Sequence, residues 1–505
     1  MQYVRLLRLV ILALWCALVI AASGQQPHES AAELFRESYV LAKDFVPSER
    51  AYHLFRLADF ASQAGELESS RLWAEELFGL TLKLSPSWNR VALQKNAAVV
   101  LSRANPEGAF RLLSEIEQAP QPTGERLPED LRASAARFIF SAYWKKSGRS
   151  GISAMRSEAI RIGETGCYPF GAVAPIIRQL SADGVNTARS WIEEAIPYYR
   201  GTSKVANADA EFFEFLNALW DVLPKDLRHQ TLHMLVERLD VHAQPEEGAS
   251  YVAAVHKGQT AALFNSPSQR MLFELLPKVR EIDAAWESEL RERSPELKQT
   301  LIPGEPEYRE EVKVGNVRKV EPAQSASSEQ RALERGRLGY VQDLSKTDPG
   351  GAIRVANGLT DPGTQAEAFA MIAASLAAKD PHRAKDLVRR AMADFGRLTD
   401  RSDELGELAS IVDAALLLGD LHIANSMLSR GFDLGEELFE EFAQTHPATP
   451  AYEAPFLEDF GRLIRLSTKV EPITMLRRIN GLGNRPLRAY LLLYAAKGLN
   501  DISAK

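Results

Sequence analysis

The chain has 505 residues, of which 45% are hydrophobic and 25% charged, proportions that suit a folded protein of two domains or one long array. Its formal net charge of −7 gives no electrostatic reason to expect nucleic acid or an anionic membrane surface as a partner. With only two cysteines, one of them in the apolar leader, a disulfide framework is excluded.

The first residues, MQYVRLLRLVILALWCALVIAASGQQ, read as a signal peptide. Arg5 and Arg8 form a basic start, Leu9 to Ile20 an apolar stretch too short to span a bilayer, and the small residues that follow a cleavage site. Cleavage is expected after Ser23 or Gly24, at the end of a 1–24 leader. The mature protein is then exported, periplasmic or secreted, without stable membrane insertion. Removing two arginines takes its formal net charge from −7 to −9. Retention of the leader as an anchor is the alternative. Cys16 lacks the small residues that precede a lipidated cysteine. Cys167, in TGCYPF, is expected to be a small packing residue, since no activating base stands near it in sequence.

Ser30 to Phe45 reads as a short amphipathic helix, and Pro47-Ser48 opens the next. In LFRLADFASQAGELESSRLWAEELFGLTLKLSP (residues 54–86), Leu54, Leu57, Ala58 and Ala61 make the stripe of a first helix. Gly65 marks a turn, and Ala74 and Leu77 belong to a second helix. This segment resembles a tetratricopeptide-type helical hairpin, with Ser70 where that family usually has alanine. The resemblance covers residues 48–103 and 349–430. It implies an α-solenoid whose members usually bind proteins, without naming a partner.

Helical patterns continue to about Arg293, punctuated at 119–130, 146–151 and 242–250. Three aromatic patches fall in this stretch: SAYWKK (141–146), WIEEAIPYYR (191–200) and EFFEFLNALW (211–220). Most of their rings are expected in the core. Tyr198, Tyr199 and Arg200 follow Pro197 at an expected helix end, which makes them candidates for partner contact. In DLRHQTLHMLVERL, Asp226, His229, His233 and Glu237 line one helical stripe. His229, His233 and Glu237 have the spacing to hold a divalent metal, against the simpler reading of a solvated polar face. Gln230 stands where a zinc protease would carry its glutamate.

Residues 294–330 are rich in proline, serine and charge and read as a linker between two helical repeat domains, 25–293 and 331–505. Within the linker, EVKVGNVRKV (311–320) alternates around Gly315-Asn316 and suggests a small hairpin.

The clearest pattern follows. DPGGAIRVANGL starts at Asp348, and new starts occur at Asp361-Pro362 and Asp380-Pro381. Each supplies a capping aspartate, a first-turn proline and an apolar stripe: Ala352, Val355, Ala356 and Leu359, then Ala366, Phe369, Ala370, Ala373, Leu376 and Ala377, then Ala384, Leu387, Val388, Ala391 and Phe395. Connectors of a few residues force neighbouring helices antiparallel. EPITMLRRINGL at Glu471 and NPEGAFRLLSEI at Asn105 repeat the opening, with Arg111, Arg354 and Arg477 in one register. These arginines either cover the apolar stripe with their methylenes or engage a carboxylate-bearing partner. GEELFEEF (435–442) groups Glu436, Glu437, Glu440 and Glu441, which read as an amphipathic surface rather than a paired-carboxylate site.

The zinc-protease, serine-lysine, nucleophile-elbow, phosphate-loop and Cys-x-x-Cys signatures are missing from the sequence, and no cofactor is expected. The expected fold is all-α: antiparallel helical hairpins forming an α-solenoid, in two segments. The expected function is a protein-interaction or scaffold module in a bacterial-type cell envelope. The rival is an envelope glycan or peptidoglycan hydrolase with scattered carboxylates, including an all-α toroid.

Overall fold

The computed structural model describes residues 31–120, 129–184, 187–201, 207–241, 250–257, 260–301, 307–314, 322–397, 401–447 and 449–503. The leader and its cleavage site lie outside them. By internal contacts the chain forms a central unit, Ser85–Ala391, and a terminal unit joining the described residues up to Leu84 to those from Met392 onward. These are not the two halves suggested by the sequence.

The terminal unit begins with α1 (31–42), α2 (Pro47–Gln63) and α3 (Leu67–Thr81). Pro47 occupies the first turn of α2, where its missing N–H matters least. Gly65 turns the chain into α3 at a φ of 83°, which a side chain would strain. Ser70, the departure from the hairpin pattern, is buried and donates its hydroxyl to the Ala58 carbonyl across the pair, 2.8 Å away.

The central unit opens with α4 (Trp88–Ala104), α5 (Pro106–Glu115), α6 (Leu131–Ser147), α7 (Ile152–Thr165), α8 (Phe170–Ala182) and α9 (Thr187–Gly201). It continues with α10 (Ala208–Leu219), α11 (Lys225–Val241), α12 (Pro267–Ile282) and α13 (Ala284–Arg293). Helices α4, α6, α8 and α10 pack one on the next, while α5, α9 and α11 lie against α4, α8 and α10 respectively. This alternation of stacked and flanking helices is the packing of a helical repeat.

Between α11 and α12 the helical pattern breaks, contrary to expectation. β1 (Ser250–Lys257) and β2 (Thr260–Phe264) pair antiparallel, with Lys257 opposite Thr260. β3 (Glu307–Val314) adds to the other side of β1, giving the order β2-β1-β3. The proposed 294–330 linker therefore contributes a strand to a sheet. That strand's partner is Ser250–Lys257 rather than the residues after Gly315-Asn316, which lie outside the described residues. Val255, Ala262 and Phe264 share one face and pack with Phe273 of α12 and Leu301, and residues 322–347 also lie against β1 and β3.

α14 (Pro322–Thr347), α15 (Pro349–Asn357), α16 (Pro362–Leu376) and α17 (Pro381–Phe395) follow. α14 begins inside the segment read as a linker, whereas the starts of α15, α16 and α17 are those read from the sequence. Asp348 accepts from the Gly351 amide at 2.9 Å, Asp361 from Thr364 at 2.8 Å and Asp380 from Arg383 at 3.1 Å. Asn105 caps α5 through Gly108 at 3.0 Å, whereas Glu471 makes no side-chain cap. The stripes are buried as expected, except Val355 and Ala377, which are half-exposed.

The terminal unit resumes with α18 (Arg401–Leu417), α19 (Leu421–Thr445), α20 (Leu457–Ser467), α21 (Pro472–Gly481) and α22 (Arg485–Ser503). α18 packs on α20, α20 on α22, and α22 on α2. The N-terminal hairpin thus extends the C-terminal stack as its next member. Ser38 donates to the Ala489 carbonyl at 2.9 Å, and Arg56 pairs with Glu458 at 2.8 Å. The fold is all-α in character, with one small sheet inserted. Among the described residues no helix is long and apolar enough to cross a membrane.

Candidate functional site

The residues singled out from the sequence do not converge. Pro197 lies inside α9 and does not end it, so Tyr199 turns inward and is fully buried. Its ring stacks on Phe212 at 4.0 Å, its hydroxyl donates to Asp209 at 2.9 Å, and Arg238 sits over its face at 4.8 Å. Tyr199 is a core residue, and the expectation of partner contact there fails. Tyr198 is half-exposed and stacks on Tyr168 at 5.0 Å, and Arg200 is exposed with its Nε 3.3 Å from the Met234 sulfur.

His229, His233 and Glu237 are exposed on α11. His233 stacks on Trp286 at 4.9 Å and directs Nδ1 to Glu237 at 3.1 Å. The His229 and His233 ring centroids lie 5.8 Å apart. Among the described residues no group of three or more His, Cys, Asp or Glu could hold a metal ion, so the suggested metal set is not assembled. Cys167 is buried as expected, with its amide on Asp130 at 3.0 Å, and burial pushes its thiol well above the ordinary value.

Arg111, Arg354 and Arg477 are all exposed, so none covers a stripe fully. Arg354 reaches Asp348 at 3.5 Å and lines a cavity of about 380 Å³ with Arg337 and Tyr340. The arginine that engages the core in the last copy is the next one, Arg478. It lies 3.8 Å over the Phe432 ring and pairs with Asp433. Arg430 over Phe395 at 4.7 Å and Arg390 over Phe369 at 4.2 Å repeat the device, a cation on an aromatic face joining successive helices. Glu437 and Glu440 face outward on α19, the amphipathic surface expected of that segment.

A groove of about 920 Å³ runs across α6, α8 and α10 of the central unit. Trp144 and Pro175 supply apolar surface, and Arg137, Lys145, Arg149 and Glu214 supply charge. The Trp144 indole N–H donates to Gln179 at 2.8 Å, and Arg149 pairs with Asp183 at 3.1 Å. Pro175 lies inside α8, so the Gly171 carbonyl loses its helical donor beside the groove. Gly171 is required for a second reason. A Cβ there would come within 2.7 Å of the Arg137 guanidinium and 2.8 Å of the Glu211 carboxylate. The Gly171 amide donates to Glu211 at 2.9 Å. Burial raises the Glu211 pKa, opposed by that amide and by Arg137. The groove therefore offers a flat ring, a backbone acceptor and cations on one helical floor.

A second polar cluster, in the terminal unit, was not singled out from the sequence. Ser38 Oγ lies 2.8 Å from His53 Nε2, and both residues are fully buried. Because Ser38 donates to Ala489, His53 Nε2 must carry the ring proton, which leaves Nδ1 a bare acceptor. Nδ1 has no partner, nor has the hydroxyl of Tyr490, whose ring meets His53 edge-on at 4.8 Å. Burial lowers the His53 pKa to about 3. Beside it, burial raises the Glu49 pKa, although the Ala451 amide donates to that carboxylate at 3.2 Å. The available signal was His53 itself, a polar side chain one turn before Leu57 on the apolar stripe of α2. No protein-family model and no curated protein matches the chain.

Proposed function

We propose that the protein is an exported helical-repeat scaffold that binds protein segments in the cell envelope. The observation that carries this reading is the groove across α6, α8 and α10. Stacked helices of a repeat array bind extended peptides along such a floor, because successive helices present side chains at regular intervals. Trp144 suits an apolar anchor, the freed Gly171 carbonyl a peptide N–H, and Lys145 an acidic side chain. The central unit's alternation of stacked and flanking helices supports a solenoid built from hairpins. Export rests on the leader sequence, with removal of residues 1–23 or 1–24.

Two measurements test this. N-terminal sequencing of protein recovered from native envelopes is expected to begin at Gly24 or Gln25, and an intact Met1 in the membrane pellet overturns the cleavage. For the groove, Trp144→Ala is compared with wild type in envelope pull-downs and thermal melts. Lost partner recovery with melting lowered by no more than the one exposed hydrogen bond is expected. Undiminished recovery overturns the groove as the binding surface, and turnover of peptidoglycan by purified wild type overturns the scaffold reading.

A further inference from the structure

The hairpins of the terminal unit turn along one edge. α19 runs antiparallel to α18, with Arg430 on Glu404 at 3.0 Å and Arg401 on Glu437. α21 runs parallel to α19, since Asn425 meets Glu471 at 3.5 Å and Arg478 meets Asp433. α22 runs parallel to α20, with Tyr494 on Glu458 at 2.7 Å and Arg465 on Asp501. α2 runs parallel to α22, since Tyr52 faces Tyr490 and Lys497 lies 4.5 Å over Phe60. The turns at 64–66, 418–420 and 468–471 therefore share an edge with the end of α22. Leu67, Leu417, Leu421, Ile473 and Ile502 stand exposed along it, Ile473 by 73%. The opposite edge carries Val46 and Leu82.

We propose that this edge is a membrane-contact surface, resting on a bilayer of neutral headgroups. Turn chemistry fixes two of its leucines alike. In Ala64-Gly65-Glu66-Leu67 and Leu418-Gly419-Asp420-Leu421 the glycines take φ of 83° and 70°. The Glu66 and Asp420 amides then donate to the Ala61 and Ala415 carbonyls, both at 2.9 Å. Each turn delivers an exposed leucine as the first residue of the next helix. Packed helices lie about 8–10 Å apart, so successive turns present their apolar side chains as a row of pegs. A rigid protein surface needs a matching hole for each peg. The fluid interfacial layer of a bilayer closes around them without one.

The path of the chain points to the same side. α1 runs antiparallel to α22, with Asp44 on Arg485 at 2.9 Å and Glu37 on Arg488 at 2.6 Å. Ala31, its first residue, therefore lies towards the end of α22 that carries Ile502. Residues 25–30 span at most about 20 Å, so an apolar leader held in a bilayer during export brings this edge to that bilayer. For that direction of approach the proposal rests on the reading of 1–24 as a leader. Charge selects the headgroup. The three turns set Lys469 against Glu66, Asp420 and Glu471, which disfavours anionic lipid and leaves apolar contact as the attraction. The contact is shallow, and it is independent of the groove in the central unit.

The test uses residues 25–505, which keep every described residue and lack the leader, in co-flotation with phosphatidylcholine vesicles. The chain is expected to float with the vesicles, equally at about 0.1 and 0.5 M salt, and no better when phosphatidylserine is added. Leu421→Ser combined with Ile473→Ser is expected to weaken partitioning at least about tenfold. Val46→Ser combined with Leu82→Ser, on the opposite edge, is expected to leave it unchanged. All four side chains are exposed, so melting is expected not to fall in either pair. Absence of flotation by the unsubstituted chain overturns the proposal, as does equal loss in the two pairs or a requirement for phosphatidylserine. A dimer formed without vesicles and dissolved by the Leu421 and Ile473 substitutions also overturns it, by assigning the edge to a second copy. Because the tested chain has no leader, flotation and the N-terminal sequencing above fail separately.

Discussion

Two buried polar networks, one in each unit, are built on opposite principles. In the central unit Asp130 accepts from the Arg132 amide at 3.0 Å, from Arg132 Nε and Nη2 at 3.1 and 2.8 Å, and from the Cys167 amide at 3.0 Å. Arg132 Nη1 goes to Thr165 at 2.7 Å, and Gly166 leaves the space, since a Cβ there would fall 1.9 Å from Asp130. Each of these arms ends on a partner. In the terminal unit the chain from Ala489 through Ser38 to His53 ends on a bare Nδ1, beside an unpartnered Tyr490 hydroxyl. A closed network fixes geometry and holds its charges as a unit. An open one keeps atoms that can still take a proton or a ligand.

The sharpest way to break the comparison is to open the closed network. Asp130 and Arg132 are 6% and 4% exposed, so Asp130→Asn strands a buried guanidinium. The expected loss is about 4 kcal/mol in chemical denaturation. A loss below about 1 kcal/mol means that water already reaches the pair.

The open network is to be tested with acid. Unfolded His53 takes up a proton below its ordinary pKa of 6.5, whereas the folded residue does so only near 3. The unfolded state therefore binds more protons between those values, and stability falls as pH falls from 6.5 towards 3. The slope approaches about 1.4 kcal/mol per pH unit, or about 3 kcal/mol lost by pH 4.5. Glu49 acts in the opposite sense, because its raised pKa makes stability fall as pH rises through the folded value. His53→Gln keeps a donor for Ser38 and does not titrate, so the difference between it and wild type isolates the histidine. Parallel pH profiles would place His53 in contact with water.

The smallest effect sharpens the same point. Ser38→Ala leaves the His53 Nε2 proton unpaired as well, for an expected loss of about 1.5 kcal/mol read from denaturation midpoints. The Asp130 and Ser38 losses are expected to add, since the networks share no residue.

Local chemistry was the legible part of this molecule. The starts of α15, α16 and α17 follow from an aspartate and a proline acting on their own backbone, so no distant residue enters. SYVAAVHK was illegible as a strand because its two alanines weaken the alternation and helical stretches flank it. Its partner β3 lies some 50 residues on, beyond the reach of any local pattern. Tyr199 was misplaced because a proline in the last turns of a helix was read as its end. Contacts between distant rings were beyond reach from sequence. Tyr52 and Tyr452 stack across 400 positions, and nothing in either helix alone announces the other.

That closure of the chain ends sets an order of assembly. Residues 31–84 are synthesised before the central unit, yet α2 (Pro47–Gln63) packs on α22 (Arg485–Ser503), made some 420 residues later. At about 5–20 residues per second, the roughly 420 residues between α2 and α22 delay the meeting by about 20–85 s. During that interval the exposed stripe of α2 and α3 has no C-terminal stack to lie against. A chain permuted to begin at Ser85 would make the terminal unit from one continuous stretch and remove the wait.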